Sequence, residues 1–168
     1  MEVVASLENL ESVLREKFGD AIREYTVVHE LPTLVVEPAV LRDICLFLRD
    51  HPDYQMDYLC FIAGVDYLTH LEVVYHLGSL TKQVGHHRVV LKVRLEREEP
   101  RVPTVSDLWP TANWHERECY DLLGVVFEGH PDLRRILLPE VWEGYPLRKD
   151  YEYDAHTMVE KILQHAAY

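Results

Sequence analysis

Glu116, Glu118 and His130 are the residues of this chain best suited to moving a proton, because acid–base catalysis uses carboxylates and imidazoles set close together. Nothing accompanies them: no Ser or Cys nucleophile elbow, no Gly-rich phosphate loop, no second-carboxylate motif. A stand-alone acid–base enzyme is therefore the rival reading. His115 and Cys119 share a helix face and have the chemistry of metal ligands, but a structural zinc takes further soft ligands, and no paired Cys or His stands at suitable spacing. The adjacent His86 and His87 would point to opposite faces of a strand. Cys45, Cys60 and Cys119 lie far apart in apolar settings without C-x-x-C spacing, which points to reduced thiols and to no iron–sulfur framework. No cofactor or metal is expected on this chain. Arg134, Arg135, Arg148 and Lys149 have two readings. One is intrachain pairing with Asp132, Glu140, Glu143 and Asp150. The other is contact with carboxylates of a partner, for which the planar fork of Arg is suited.

The elements that must position these residues follow from periodicity. Residues 6–18 read as a helix capped by Ser6, with Leu7, Leu10, Leu14 and Phe18 at helical spacing and Gly19 as its end. Residues 21–30 and 33–37 read as strands around Leu31-Pro32. Pro38 opens a second helix, striped by Leu41, Ile44, Cys45 and Leu48 and followed by Pro52. Residues 56–67 are almost continuously apolar and read as a buried central strand. Residues 71–77 and 87–95 alternate, with Leu71, Val73, Tyr75 and Leu77, then Val89, Leu91, Val93 and Leu95, on one face. The order α-β-β-α-β-β-β predicts an α+β, two-layer sandwich: a five-stranded, mainly antiparallel sheet with helices on one face, over residues 1–97.

The proline-bearing stretch 98–103 ends the sheet, and residues 98–168 form an extension. A short helical piece is expected near Val105–Leu108. A longer helix is expected over 114–123, with Asn113 as cap, Glu116 at the capping-box position and Gly124 as stop. On that helix Cys119, Tyr120, Leu122 and Leu123 fall to one side, and Trp114, Arg117, Glu118 and Asp121 to the other. The charged side reads either as a solvated face with an Arg117–Asp121 pair or as a contact face anchored by Trp114. Glu116 points to the apolar side and is expected to reach the Asn113 backbone or to pair with Arg134 or Arg135. From Gly124 to Asp150 little regular structure is expected. That length of ordered, half-apolar loop suits a segment lying along its own domain or a partner. A last helix is expected over 155–166.

The chain has 168 residues, 48% of them hydrophobic, and a formal net charge of −12. That charge argues against nucleic acid and against an anionic lipid surface. No apolar run reaches transmembrane length, and the start lacks a signal peptide's basic and apolar regions, so a cytoplasmic location is expected.

One stretch is far more specific than the rest. Glu116-Arg117-Glu118-Cys119-Tyr120-Asp121 leads to His130-Pro131-Asp132-Leu133-Arg134-Arg135-Ile136-Leu137, followed by Gly144-Tyr145-Pro146-Leu147-Arg148-Lys149-Asp150. This run resembles the signature of the 30-kDa (C-type) subunit of respiratory complex I, the NADH–quinone oxidoreductase of bacteria. The resemblance is close over 101–150 and loose over the sheet. It implies a non-catalytic structural subunit of the peripheral arm, on the cytoplasmic side of the membrane, scaffolding the quinone-reducing module. It implies packing against the 49-kDa (D-type) subunit, with flavin, iron–sulfur clusters and quinone held elsewhere in the complex. The residues expected at partner contacts, on the charged helix face and along the arm, are Trp114, Arg117, Glu118, Asp121, His130, Arg134, Arg135, Trp142, Tyr145, Arg148, Lys149 and Asp150. Related subunits serve ferredoxin-dependent complexes of the photosynthetic type (there J-type), F420-dependent dehydrogenases and membrane-bound hydrogenases. Many family members continue Lys-Asp-Phe-Pro, whereas here Asp150 is followed by Tyr151 and Glu152.

Overall fold

The computed structural model describes residues 7, 9–82, 87–153 and 155–166. Its first helix, α1 (Leu10–Phe18), buries Leu10 and Leu14 and stops at Gly19, whose φ of +58° suits a residue without Cβ. The expected Ser6 cap and His86 lie outside the described residues. Strands β1 (Ile22–Val28) and β2 (Leu31–Val36) form a hairpin whose turn is His29–Glu30, both at positive φ, one pair earlier than Leu31-Pro32. Pro32 is tolerated inside β2 because the ladder to the next strand begins only at Thr33. Pro38–Val40 makes one 3-10 turn into α2 (Leu41–Asp50), which buries Leu41, Ile44, Cys45 and Leu48. Strands β3 (Tyr58–Asp66), β4 (Leu71–Gly78) and β5 (Arg88–Leu95) complete a five-stranded sheet of order β1-β2-β5-β4-β3. Among the described residues of this sheet, only the β2–β5 pair is parallel.

The alternation of β4 and β5 is the register of the core. Leu71, Val73, Tyr75 and Leu77 stand opposite Leu95, Val93, Leu91 and Val89, and all of them are buried with the stripes of α1 and α2. The 58–66 strand is at the sheet edge, not its centre. It is apolar because a third helix, α3 (Ala112–Leu123), covers its inner side, while Tyr58, Phe61 and Val65 remain exposed. The approach is so close that a Cβ on Gly64 would lie 2.3 Å from Leu123 Cδ1.

A second, two-stranded sheet lies in the extension, where the periodicity shows no strand. Strand β6 (Arg101–Pro103) pairs in parallel with β7 (Val126–Glu128), so Val102 and Phe127 are buried beside each other. The Val105 carbonyl receives the N–H groups of Leu108 and Trp109 in a single turn before α3. The chain closes with α4 (Ala155–Ala166). No helix among the described residues is long and apolar enough to cross a membrane.

Candidate functional site

Helix α3 has no exposed charged stripe. It begins at Ala112 after Thr111, so Asn113 lies inside the helix and does not cap it. Cys119 and Leu123 pack on β3, while Glu116, Arg117 and Asp121 are buried on other sides. Residues 130–150 wrap around much of the side that sequence alone assigns to water or to a partner, leaving Trp114 and Glu118 exposed.

Asp121 organises that wrapping. Its Oδ2 accepts the backbone N–H groups of Ile136, Leu137 and Leu138 at 3.0, 2.7 and 2.9 Å, and its Oδ1 accepts Arg135 Nη1 at 2.7 Å. Burial works against the charge, but these donors outweigh it and hold the carboxyl below the usual range. Arg117 does not pair with Asp121. Its guanidinium donates to the carbonyls of Arg134 and Arg135 and lies 5.5 Å from the Trp114 ring. Arg135 also donates to the carbonyls of Trp142 and Gly144. Arg148 donates from Nε to the Leu123 carbonyl at 2.8 Å, satisfying an acceptor that the helix end leaves open. Tyr145 lies under both guanidinium groups, 5.6 Å from Arg135 and 5.0 Å from Arg148. Intrachain bonding therefore consumes most of the basic cluster, chiefly with main-chain carbonyls. Of the acidic partners named from sequence, Asp132 takes Arg134 in an exposed pair, and Asp150 takes Arg97.

The far end of this arm is tied by two residues that no local pattern marks. Asp66, at the end of β3, accepts Arg97 through two nitrogens and the backbone N–H groups of Leu68 and Lys149. Arg97 holds the Asp66 carboxyl far below its ordinary range. The Lys149 side chain is left exposed. Trp142 stacks on Tyr153, and its indole N–H finds no acceptor among the described residues.

Glu116 and His130 come together, and Glu118 does not join them. The Glu116 carboxylate accepts Thr104 Oγ1 at 2.5 Å and Val105 N–H at 2.8 Å. It reaches neither the Asn113 backbone nor Arg134 or Arg135. His130 Nε2 is 3.9 Å from Glu116 and 3.2 Å from the Asn113 carbonyl, while its Nδ1 receives the Asp132 N–H at 3.0 Å. A carbonyl at one nitrogen and an N–H at the other fix the neutral, Nε2-protonated tautomer. Burial pushes the Glu116 carboxyl up to about 7, against the pull of its two donors. A raised pKa in a carboxylate can mark an acid–base site. Here both side chains are fully enclosed, Glu118 faces solvent, and the nearby surface groove is lined by neither Glu116 nor His130. The pair locks three segments together instead. His115 is half-buried and Cys119 packs on Gly64, its thiol pushed up to about 12 by burial. The other two cysteines are also free thiols.

The sequence profile of the family described as respiratory-chain NADH dehydrogenase, 30 Kd subunit, matches residues 34–157. This chain belongs to that family. It is 49% identical over 143 residues to the C-type subunit of the NADH-quinone oxidoreductase of Chlorobium phaeobacteroides, covering 83% of this chain and 85% of that one. Among solved structures it is similar to the trypsin-resistant fragment (1-134) of Nqo5, with a TM-score of 0.61 and 36% identity, covering 74% of this chain and 99% of the fragment. It is also similar to a chain of the membrane-bound sulfane sulfur reductase, an archaeal respiratory membrane complex, with a TM-score of 0.69 and 28% identity over 94% of this chain and 91% of that one. The chain is thus a subunit of a quinone oxidoreductase of the complex I type, and its partners are other subunits of such a complex.

Proposed function

We propose that this chain is a structural subunit of the peripheral arm, on the cytoplasmic side of the membrane, that scaffolds the quinone-reducing module and packs against the 49-kDa-type subunit. In this reading flavin, iron–sulfur clusters and quinone are carried by other subunits, and the chain meets the membrane only through the complex. One observation carries the reading. The signature residues Arg117, Asp121 and Arg135 are spent inside the chain on holding an irregular arm in one shape, and the arm then presents Leu137 and Leu147 to solvent, near the exposed Arg134 and Lys149. Apolar side chains held outward on a fixed backbone are what a permanent interface requires.

The test is purification of a tagged chain from native membranes, with identification of the co-purifying subunits and a visible spectrum of the isolated chain. The 49-kDa-type subunit and its neighbours should co-purify, and the isolated chain should show no flavin or cluster band. Purification of the chain alone would sink the scaffold reading; a stoichiometric chromophore would sink the cofactor assignment. A second reading, the equivalent subunit of a related respiratory complex with another electron donor, is favoured by the likeness to the sulfane sulfur reductase chain. The same purification decides between them by the identity of the electron-input subunits.

A further inference from the structure

The buried Glu116–His130 pair has a consequence at the surface. Glu116 pins Thr104 and Val105 to α3, and His130 pins the turn after β7 to the Asn113 carbonyl. These two segments and the start of α3 are the walls of an open groove of about 850 Å³. Its lining includes Pro103, Pro110, Pro131 and the indole of Trp114. Trp114 is 63% exposed, a large aromatic surface left in water at the rim. The prolines stiffen these walls, and Thr104, Ser106 and Asn113 add polar side chains between the apolar surfaces.

The charges of the groove do not cancel. Arg42 and Asp107 neutralise each other at 2.5 Å. Glu128 has Arg101 at 3.9 Å, beyond hydrogen-bond distance, as its ion-pair partner among the described residues, and stands mostly in solvent. Arg117 already lies 5.5 Å from the Trp114 ring; the rest of that exposed aromatic surface and an under-paired carboxylate in one groove are complementary to a cationic side chain flanked by apolar ones.

We propose that this groove receives an extended segment of a partner in the complex, with a Lys or Arg beside apolar residues and the cation placed at Trp114 and Glu128. The proposal rests on the reading of the chain as one component of a larger complex. It gives Glu116 and His130 the role of positioning residues that keep the groove open before the partner arrives.

The test uses the assembled complex in native membranes, with the photo-crosslinking residue p-benzoylphenylalanine in place of the exposed Pro131. Irradiation and sequencing of the crosslinked peptide should place the crosslink on another subunit, within a few residues of a Lys or Arg. In the same complex Glu128→Lys should cut crosslink yield roughly tenfold, through like-charge repulsion, and Glu128→Gln less. A complex that assembles but crosslinks only to this chain, to lipid or to an uncharged segment overturns the groove proposal and leaves the scaffold reading intact. Yield insensitive to Glu128→Lys overturns the assigned cation. A chain that co-purifies with no complex overturns the scaffold reading and the groove with it.

Discussion

Asp121 and Arg135 form one joint: the carboxylate takes Arg135 Nη1 at 2.7 Å, and the same guanidinium reaches on to the carbonyls of Trp142 and Gly144 at 3.0 and 3.2 Å. Through this joint one buried acid on α3 sets the path of the arm on both sides of Pro139.

Asp121→Ala is expected to release the arm. It leaves three N–H groups without an acceptor and Arg135 without its counter-charge, and each unmade bond costs about 1–3 kcal/mol when buried. Hydrogen–deuterium exchange should rise at 136–138 and 142–144 while β4 and β5 stay protected. Unchanged exchange in the arm would show that other contacts hold it. The wild-type chain should also lose this joint in acid. The folded carboxyl titrates below its unfolded value, so its stabilisation is present above pH about 4 and is lost as pH falls through the depressed folded value.

Glu116 has the opposite sign. Its folded pKa is raised from 4.5 to about 7, so its contribution is fully present below pH 4.5 and is lost as pH rises through 7. Stability should therefore fall between pH 5 and 8 by on the order of 3 kcal/mol from this group, and Glu116→Gln should flatten that slope. Urea unfolding midpoints at the two pH values check it. A mutant with the wild-type slope would assign the pH dependence elsewhere.

Much of this architecture is legible in the sequence, and what is not has physical reasons. The alternation of Val89, Leu91, Val93 and Leu95 reports a sheet with one buried face and fixes the core. The edge position of β3 is not readable, because an apolar run looks the same whether a strand or a helix covers it. The β6–β7 ladder is too short to show a period. Helical spacing sets Asp121 beside Arg117 and so suggests a surface pair. The real partners of Asp121 are backbone N–H groups from a segment beyond the helix, and backbone groups leave no trace in residue type. The Asp66–Arg97 anchor joins residues 31 positions apart and is silent in any local window.

Gly124 is required twice over. Its φ is +79°, and a Cβ there would lie 2.5 Å from Tyr145 Cε2. Gly124→Ala thus combines left-handed backbone strain, about 1 kcal/mol, with displacement of the ring beneath Arg135 and Arg148. A total loss of roughly 2–4 kcal/mol is expected from the two effects together. A thermal melt of Gly124→Ala showing a loss of only about 1 kcal/mol would mean that Tyr145 moves aside freely.

Arg148 separates an internal role from an interface role. Its Nε caps the Leu123 carbonyl, at a helix end where the macrodipole favours a cation, and its guanidinium lies over Tyr145. Arg148→Glu replaces a donor by an acceptor against that carbonyl and should lower the stability of the isolated chain by about 1–3 kcal/mol. Arg148→Lys keeps the charge but not the planar fork, and should lose less. The distinguishing measurement pairs a thermal melt of the isolated chain with co-purification of the mutant in its complex. Lost stability with assembly reduced in proportion, and restored at lower temperature, is the expected result. An unchanged melt with failed assembly would move Arg148 from the arm's internal fastening to the surface that meets the partner.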